Sequence, residues 1–140
     1  MIKIYTDAAT KGNPGPSGIG FVLVGEDLYQ QTAVPLEGTY SNHEAEFIAL
    51  VTGLSYLVDH KLNKEVLQIF SDSKIVVSAI QKSYVKNEVF KPHLHQLKSL
   101  LNQFELYLIE WIPDAKNKGA DNLARQALRT ALKNFDSTKA

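Results

Sequence analysis

Apolar and polar positions alternate at the start of the chain. Ile2, Ile4 and Thr6 fall on one side, and Lys3 and Tyr5 on the other. This period of two marks a strand ending at Asp7. The Gly/Pro-rich stretch from Gly12 to Gly18 is a loop and not a domain boundary, because apolar character resumes at once. Ile19 to Val24 and about Leu28 to Leu36 read as two further strands, and Gly25-Glu26-Asp27 between them suits a hairpin turn. The chain therefore opens with a three-stranded antiparallel meander.

The period then lengthens. Phe47, Ile48, Val51, Leu54, Ser55 and Val58 recur at three and four, which predicts a long helix, with Ser41 and Glu44 as a capping box at its start. Glu65 to Phe70 is a β-rich run closing at Ser71-Asp72, and a helix of about Lys74 to Gln81 follows. Lys91-Pro92 opens a second amphipathic stretch with Leu94, Leu97, Leu100 and Leu101 as its stripe; proline is tolerated in a first helical turn. Leu106 to Ile112 is a last strand, and Ala120, Leu123, Ala124, Ala127, Leu128 and Ala131 mark a final helix. The order βββαβααβα predicts an α/β fold. Its five-stranded mixed sheet has three antiparallel strands and then two parallel ones, with helices on both faces. Residues 1–140 form a single domain on this reading, with order in the tail from about residue 135 left open.

Composition narrows the choices. At 140 residues the chain can bury roughly two-thirds of its unfolded surface without staples. It has no cysteine, which excludes disulfides, Cys-ligated zinc, iron–sulfur clusters and a cysteine nucleophile together. Lys plus Arg is 15 and Asp plus Glu is 15, so the formal net charge is zero. That total hides an asymmetry: residues 1–60 carry two Lys and seven acids, whereas residues 61–100 carry seven Lys and three acids. No apolar run approaches the ~20 residues needed to span a bilayer. Met1-Ile2-Lys3-Ile4 is too short and too polar for a signal peptide, so the expected compartment is the cytosol.

Four carboxylates occupy unusual places. Asp7 and Asp72 stand at strand ends, Glu46 lies beside the buried stripe of the long helix, and Asp121 lies near the start of the last helix. Taken singly, Asp72 could cap a helix, Asp121 could oppose a helix dipole, and Glu46 could pair with a nearby Lys. Taken together they can meet only if those ends meet, and ligands of open α/β sheets do bind outside the carboxyl ends of strands. Four carboxylates in one place repel unless cations sit among them. An oxygen-only set selects hard cations such as Mg²⁺ or Mn²⁺.

The motifs carrying these residues are recognisable. Tyr5-Thr6-Asp7-Ala8-Ala9, followed by Gly12-Asn13-Pro14-Gly15-Pro16-Ser17-Gly18-Ile19-Gly20, resembles the opening of the ribonuclease H type 1 family. Ser41-Asn42-His43-Glu44-Ala45-Glu46-Phe47, Ser71-Asp72-Ser73 and Ala120-Asp121-Asn122-Leu123-Ala124-Arg125 resemble its second, third and fourth motifs, in order. The resemblance covers nearly the whole chain. It implies an endonuclease that cuts the RNA strand of an RNA–DNA hybrid, leaving 5′-phosphate and 3′-hydroxyl ends. Asp7, Glu46, Asp72 and Asp121 would hold two Mg²⁺ ions (Mn²⁺ being the alternative), one activating water and the other stabilising the departing oxygen. By position, Asn13 and Asn42 would contact the hybrid's minor groove, with His43 in the same motif. Ser41 would occupy a DNA-phosphate pocket, and Lys74 would offer charge to a phosphate. The expected state is a monomer, in the cytoplasm as above.

The sequence also departs from that family. The loop Pro113-Asp114-Ala115-Lys116-Asn117-Lys118-Gly119 has no histidine where many members carry a mobile one. His60 reads as a helix-end residue, and His93 and His95 read as surface residues. Residues 81–93 hold only Lys82, Lys86 and Lys91, so the Lys- and Trp-rich basic handle of some members is missing and the chain resembles the compact subgroup. Ala8 follows Asp7 where glycine is frequent. Trp111, in the last strand, is expected to pack in the core. Two competing readings follow: a binding module with little catalysis, and a DNA-cutting relative of the integrase or resolvase kind.

Overall fold

A computed structural model describes the backbone of residues 1–139 and the side chains of residues 1–136. Its elements are β1 (Ile2–Thr10), β2 (Ser17–Gly25), β3 (Leu28–Pro35), α1 (Asn42–Asp59), β4 (Leu67–Ser71), α2 (Lys74–Lys82), α3 (Lys91–Leu101), β5 (Tyr107–Trp111), a 3₁₀ turn (Asp114–Lys116) and α4 (Lys118–Lys139). The sheet order is β3-β2-β1-β4-β5. β1 pairs antiparallel with β2 and parallel with β4, and β4 pairs parallel with β5. The expected mixed sheet therefore forms. Helix α4 continues through the stretch whose order the sequence left open; Ala140 lies outside the described residues.

The strand alternation sorts the layers. Ile2, Ile4, Phe21, Leu23, Leu67 and Ile69 face α1, α2 and α3, where they join Phe47, Leu50, Leu54, Val76, Ile80 and Leu97 in one buried cluster. Lys3, Tyr5 and Asp7 point to the opposite face, which α4 partly covers. There α4 presents buried Ala120, Ala124, Ala127 and Ala131 to the sheet. Gly18 and Gly20 permit this close approach. A Cβ on Gly18 would lie 2.2 Å from the Leu128 nitrogen, and one on Gly20 2.6 Å from the Ala120 oxygen. These small residues set the distance between α4 and β2, and thus the height of Asp121 above the sheet.

Four local expectations need correction. β1 does not stop at Asp7: its ladder with β2 continues to Thr10↔Ser17, while its ladder with β4 ends at Thr6↔Ser71. Asp7 is the first β1 residue past the parallel pairing. It gains backbone rigidity from β2 and an open flank where β4 has ended. The capping box is only half made. The Glu44 N–H donates to Ser41 Oγ at 3.1 Å, but the Glu44 carboxylate pairs with His93 of α3 at 2.8 Å. His93 is therefore a half-buried link between α1 and α3, stacked on Phe47, and not a surface residue. Trp111 is 42% exposed and so is not a core residue.

Candidate active site

The parallel strands β1, β4 and β5 all deliver their chains to one edge of the sheet, and there the acids meet. Asp7, Ala8, Asn42, Glu46, Asp72, Asp114, Asp121 and Arg125 line one recess of about 240 Å³. All four carboxylates singled out in the sequence are in it. Two residues that the sequence reading did not assign, Asp114 and Arg125, are there as well.

Each acid is held by a neighbour. Asp7 is buried in β1, and its Oδ1 accepts the Ala8 N–H at 2.9 Å. Glu46 stands one turn into α1, where Oε2 accepts the Ser73 hydroxyl at 2.6 Å and lies 3.1 Å from His43 Nδ1. Its Oε1 lies 3.4 Å from the Asn42 amide. Ser73 also caps α2 by accepting the Val76 N–H, so one hydroxyl ties Glu46 to the helix that follows Asp72. Asp72 Oδ2 accepts from Asn117 Nδ2 at 3.3 Å, and the same amide donates to the Thr6 carbonyl at 2.8 Å. Buried Asn117 thereby fastens the ends of β1 and β4 together from the loop before α4. Its own Oδ1 is buried and unpartnered among the described residues. Asp121 Oδ1 accepts from Arg125 Nε, one helical turn on, at 3.1 Å.

The crowding has an electrostatic signature. Burial first, and then the charges of Asp72 and Asp121, push the Asp7 carboxyl from 3.8 up to about 8. The Ala8 N–H only partly offsets this. Asp72 is also raised, chiefly by burial, with Asp114 and Glu46 adding repulsion and Asn117 opposing it. A cluster whose own members resist ionisation is stabilised by divalent cations. The donors are all oxygens, which fits Mg²⁺ or Mn²⁺. As placed, no three Asp, Glu or His side chains among the described residues close around a single point, so the recess is open and not a finished cage.

The remaining expected residues surround the recess. Asn13, at the exposed loop tip, accepts the Asn42 N–H on its Oδ1 at 3.0 Å, which braces the first residue of α1. Ser41 is the N-cap of α1. His43 is exposed and touches Glu46. Lys74, the first residue of α2, has its Nζ over the Trp111 ring, 5.1 Å from the centroid. His60 does close α1, with its N–H bonded to the Tyr56 carbonyl. Asp72 directly follows β4, whereas Asp114 lies three residues past the end of β5, in the 3₁₀ turn, where the strand-end rule that found Asp72 does not reach. Asn117 and Ser73 carry no charge and gave no such signal.

Ser73 allows a first test. Ser73→Ala removes both the cap and the Glu46 contact. Stability is expected to fall by about 1 kcal/mol, while a freed Glu46 lowers kcat by roughly tenfold with little change in KM. Ser73→Thr restores both. A Ser73→Ala enzyme with unchanged kcat would show that Glu46 does not need this hydroxyl.

A mixed five-stranded sheet in this order, with carboxylates gathered at the shared ends of its parallel strands, defines a protein of the ribonuclease H-like fold. A family described as reverse transcriptase-like matches residues 5–127. EbsB of Enterococcus faecalis is 50% identical over 129 residues, covering 92% of this chain and 95% of that protein. The bifunctional protein Rv2228c of Mycobacterium tuberculosis is 33% identical over 133 residues; this chain spans only 36% of its length. Among solved structures, LC11-RNase H1 in complex with an RNA/DNA hybrid superposes with a TM-score of 0.85 at 30% identity, covering 94% of this chain and 99% of that one. The chain belongs to this reverse transcriptase-like family, in its ribonuclease H type 1 branch.

Proposed function

We propose that this chain is a divalent-metal-dependent endonuclease that hydrolyses the RNA strand of RNA–DNA hybrids, leaving 5′-phosphate and 3′-hydroxyl ends. The observation that carries this reading is the convergence of Asp7, Glu46, Asp72 and Asp121 on one recess at the edge of a ribonuclease H fold. Those four residues would hold two Mg²⁺ ions, with Mn²⁺ as the alternative. When bound, such ions supply an activated water and charge stabilisation at the departing oxygen.

The chain's own groups do the rest. Ser73 and His43 orient Glu46, Asn117 orients Asp72, and Arg125 restrains Asp121. Asn13 and Asn42, linked to each other, offer amide donors to the minor groove, where the 2′-hydroxyl distinguishes RNA from DNA. Ser41, His43 and Lys74 flank that path as phosphate and sugar contacts. No helix among the described residues is long and apolar enough to cross a membrane. A single domain acting as a monomer in the cytoplasm is the accompanying reading.

Four labelled substrates test the proposal: hybrid, duplex RNA, duplex DNA and single-stranded RNA, each with Mg²⁺, Mn²⁺ or chelator. Cleavage is expected only in the RNA strand of the hybrid and only with metal. Asp72→Asn should lower it by ~10²–10³-fold or more. A hybrid that is bound but left intact with both metals would favour the non-catalytic binding module. Equal cutting of duplex DNA would favour the integrase-like reading.

A further inference from the structure

Trp111 is the chain's only tryptophan. Half-exposed, it forgoes much of what burial of an indole contributes, so packing does not account for it. It ends β5 on the edge where the acids gather. Its Nε1–H donates to the Asp72 carbonyl at 3.0 Å, so the ring is fixed within one residue of a carboxylate in the recess. The Lys74 ammonium lies over the ring, a cation–π contact that keeps the lysine beside the indole. Lys74 is exposed and forms no ion pair with a carboxylate among the described residues. Asn13, Ser41 and Asn42 belong to α1 and the loop it braces. Trp111 and Lys74 stand on the β5 side of the same recess.

We propose that Trp111 and Lys74 form a nucleotide-contacting platform on the β5 side of the carboxylates. The indole packs against a sugar of the strand being cut, and Lys74 takes the phosphate beside it. The proposal rests on the hybrid reading above. A recess lined by five acids, and by one arginine already paired to Asp121, repels a polyanion, so a strand crossing it gains from a further cation and a contact surface close by, and this pair supplies both. In a paired hybrid the bases are stacked inside the duplex and the sugars line the groove, so a contact of this kind is tolerant of sequence. Lys74 thereby becomes half of a two-residue site and not an isolated charge, and Trp111 becomes a substrate-contact residue.

Having one tryptophan makes the test direct. Asp7→Asn protein, expected to bind without cutting, is titrated with a fluorescein-labelled hybrid while anisotropy and indole emission are both followed. Emission is expected to fall with the midpoint of the anisotropy rise. In the same background Trp111→Gln, which keeps an N–H but loses the ring, should weaken hybrid binding by about tenfold. Trp111→Phe, which keeps a ring but loses the N–H, should recover most of that loss. If anisotropy rises while emission stays constant, or if Trp111→Phe is as weak as Trp111→Gln, the platform is overturned and the hybrid reading stands. If the hybrid produces no anisotropy change at all, the hybrid reading fails and the platform fails with it.

Discussion

Asp7→Asn is expected to abolish hybrid cleavage and, at the same time, to make the metal-free protein more stable at alkaline pH. The sign follows from the direction of the shift. The folded chain holds the Asp7 carboxyl near 8, against 3.8 when exposed, because burial and the charges of Asp72 and Asp121 oppose ionisation. The folded state therefore binds a proton that the unfolded state has released. The resulting stabilisation is complete below about pH 4, is lost progressively as pH rises, and is gone above pH 8. Each tenfold step in the ionisation constant is worth about 1.4 kcal/mol, so the upper bound is on the order of 6 kcal/mol. Asparagine keeps an oxygen for the Ala8 N–H and carries no charge.

Thermal unfolding in chelator at pH 5 and pH 8.5 measures this. The wild-type midpoint should drop between the two, whereas the Asp7→Asn midpoint should drop less, since Asp72 is still raised by its own burial, and should exceed the wild type by roughly 5–10 °C at pH 8.5. Adding Mg²⁺ or Mn²⁺ should raise the wild type and leave the variant almost unmoved, because ligand binding stabilises only the form that binds. An Asp7→Asn protein that melts at or below the wild type at pH 8.5 would contradict the electrostatic account. The exchange of stability for function is ordinary at catalytic sites. Here it is located in one carboxylate that β1 forces into the interior.

How much of this was legible beforehand depends on how each residue acts. The element order and the sheet came through because strand alternation and the α1 stripe are strong local signals. The four acids were found because charge at a strand end or beside a buried stripe is conspicuous. The end of β1 was misplaced because Asp7 reads as a polar stop, whereas the β2 ladder carries the strand three residues further. The Glu44–His93 pair spans 49 positions and the Asn117–Thr6 bond 111, so no window of the sequence contains either. Trp111 illustrates the opposite failure. A large aromatic in a strand is usually buried, but β5 is an edge strand whose outer positions have no neighbour to cover them.

Gly20→Ala is expected to damage both fold and site, although it adds a single methyl and removes no functional group. Gly20 pairs with Asp7 across the β1–β2 ladder, so it lies directly beside the most buried acid. The added Cβ would fall 2.6 Å from the Ala120 oxygen, the Ala124 nitrogen and the Leu123 Cβ. Two of these three atoms belong to the α4 backbone and cannot rotate away, so the helix itself must shift. Overpacking of this kind costs typically ~1–3 kcal/mol and more where backbone must move. The first turn of α4 carries Asp121 immediately after Ala120, so lifting the helix moves that carboxylate away from Asp7. A misplacement near 1 Å costs on the order of 10²-fold in rate. Three readouts should change together. The melting midpoint falls, metal-induced stabilisation shrinks, and cleavage drops by ~10²-fold even at temperatures where the protein remains folded. Gly38→Ala is the contrast in a glycine with no neighbour within 4 Å. Its φ of +81° makes alanine strained, so it should lower stability while leaving cleavage by the folded protein unchanged. If Gly20→Ala lost stability but cut as fast as wild type once folded, α4 would not be what places Asp121. The fourth carboxylate would then reach the site by side-chain motion alone.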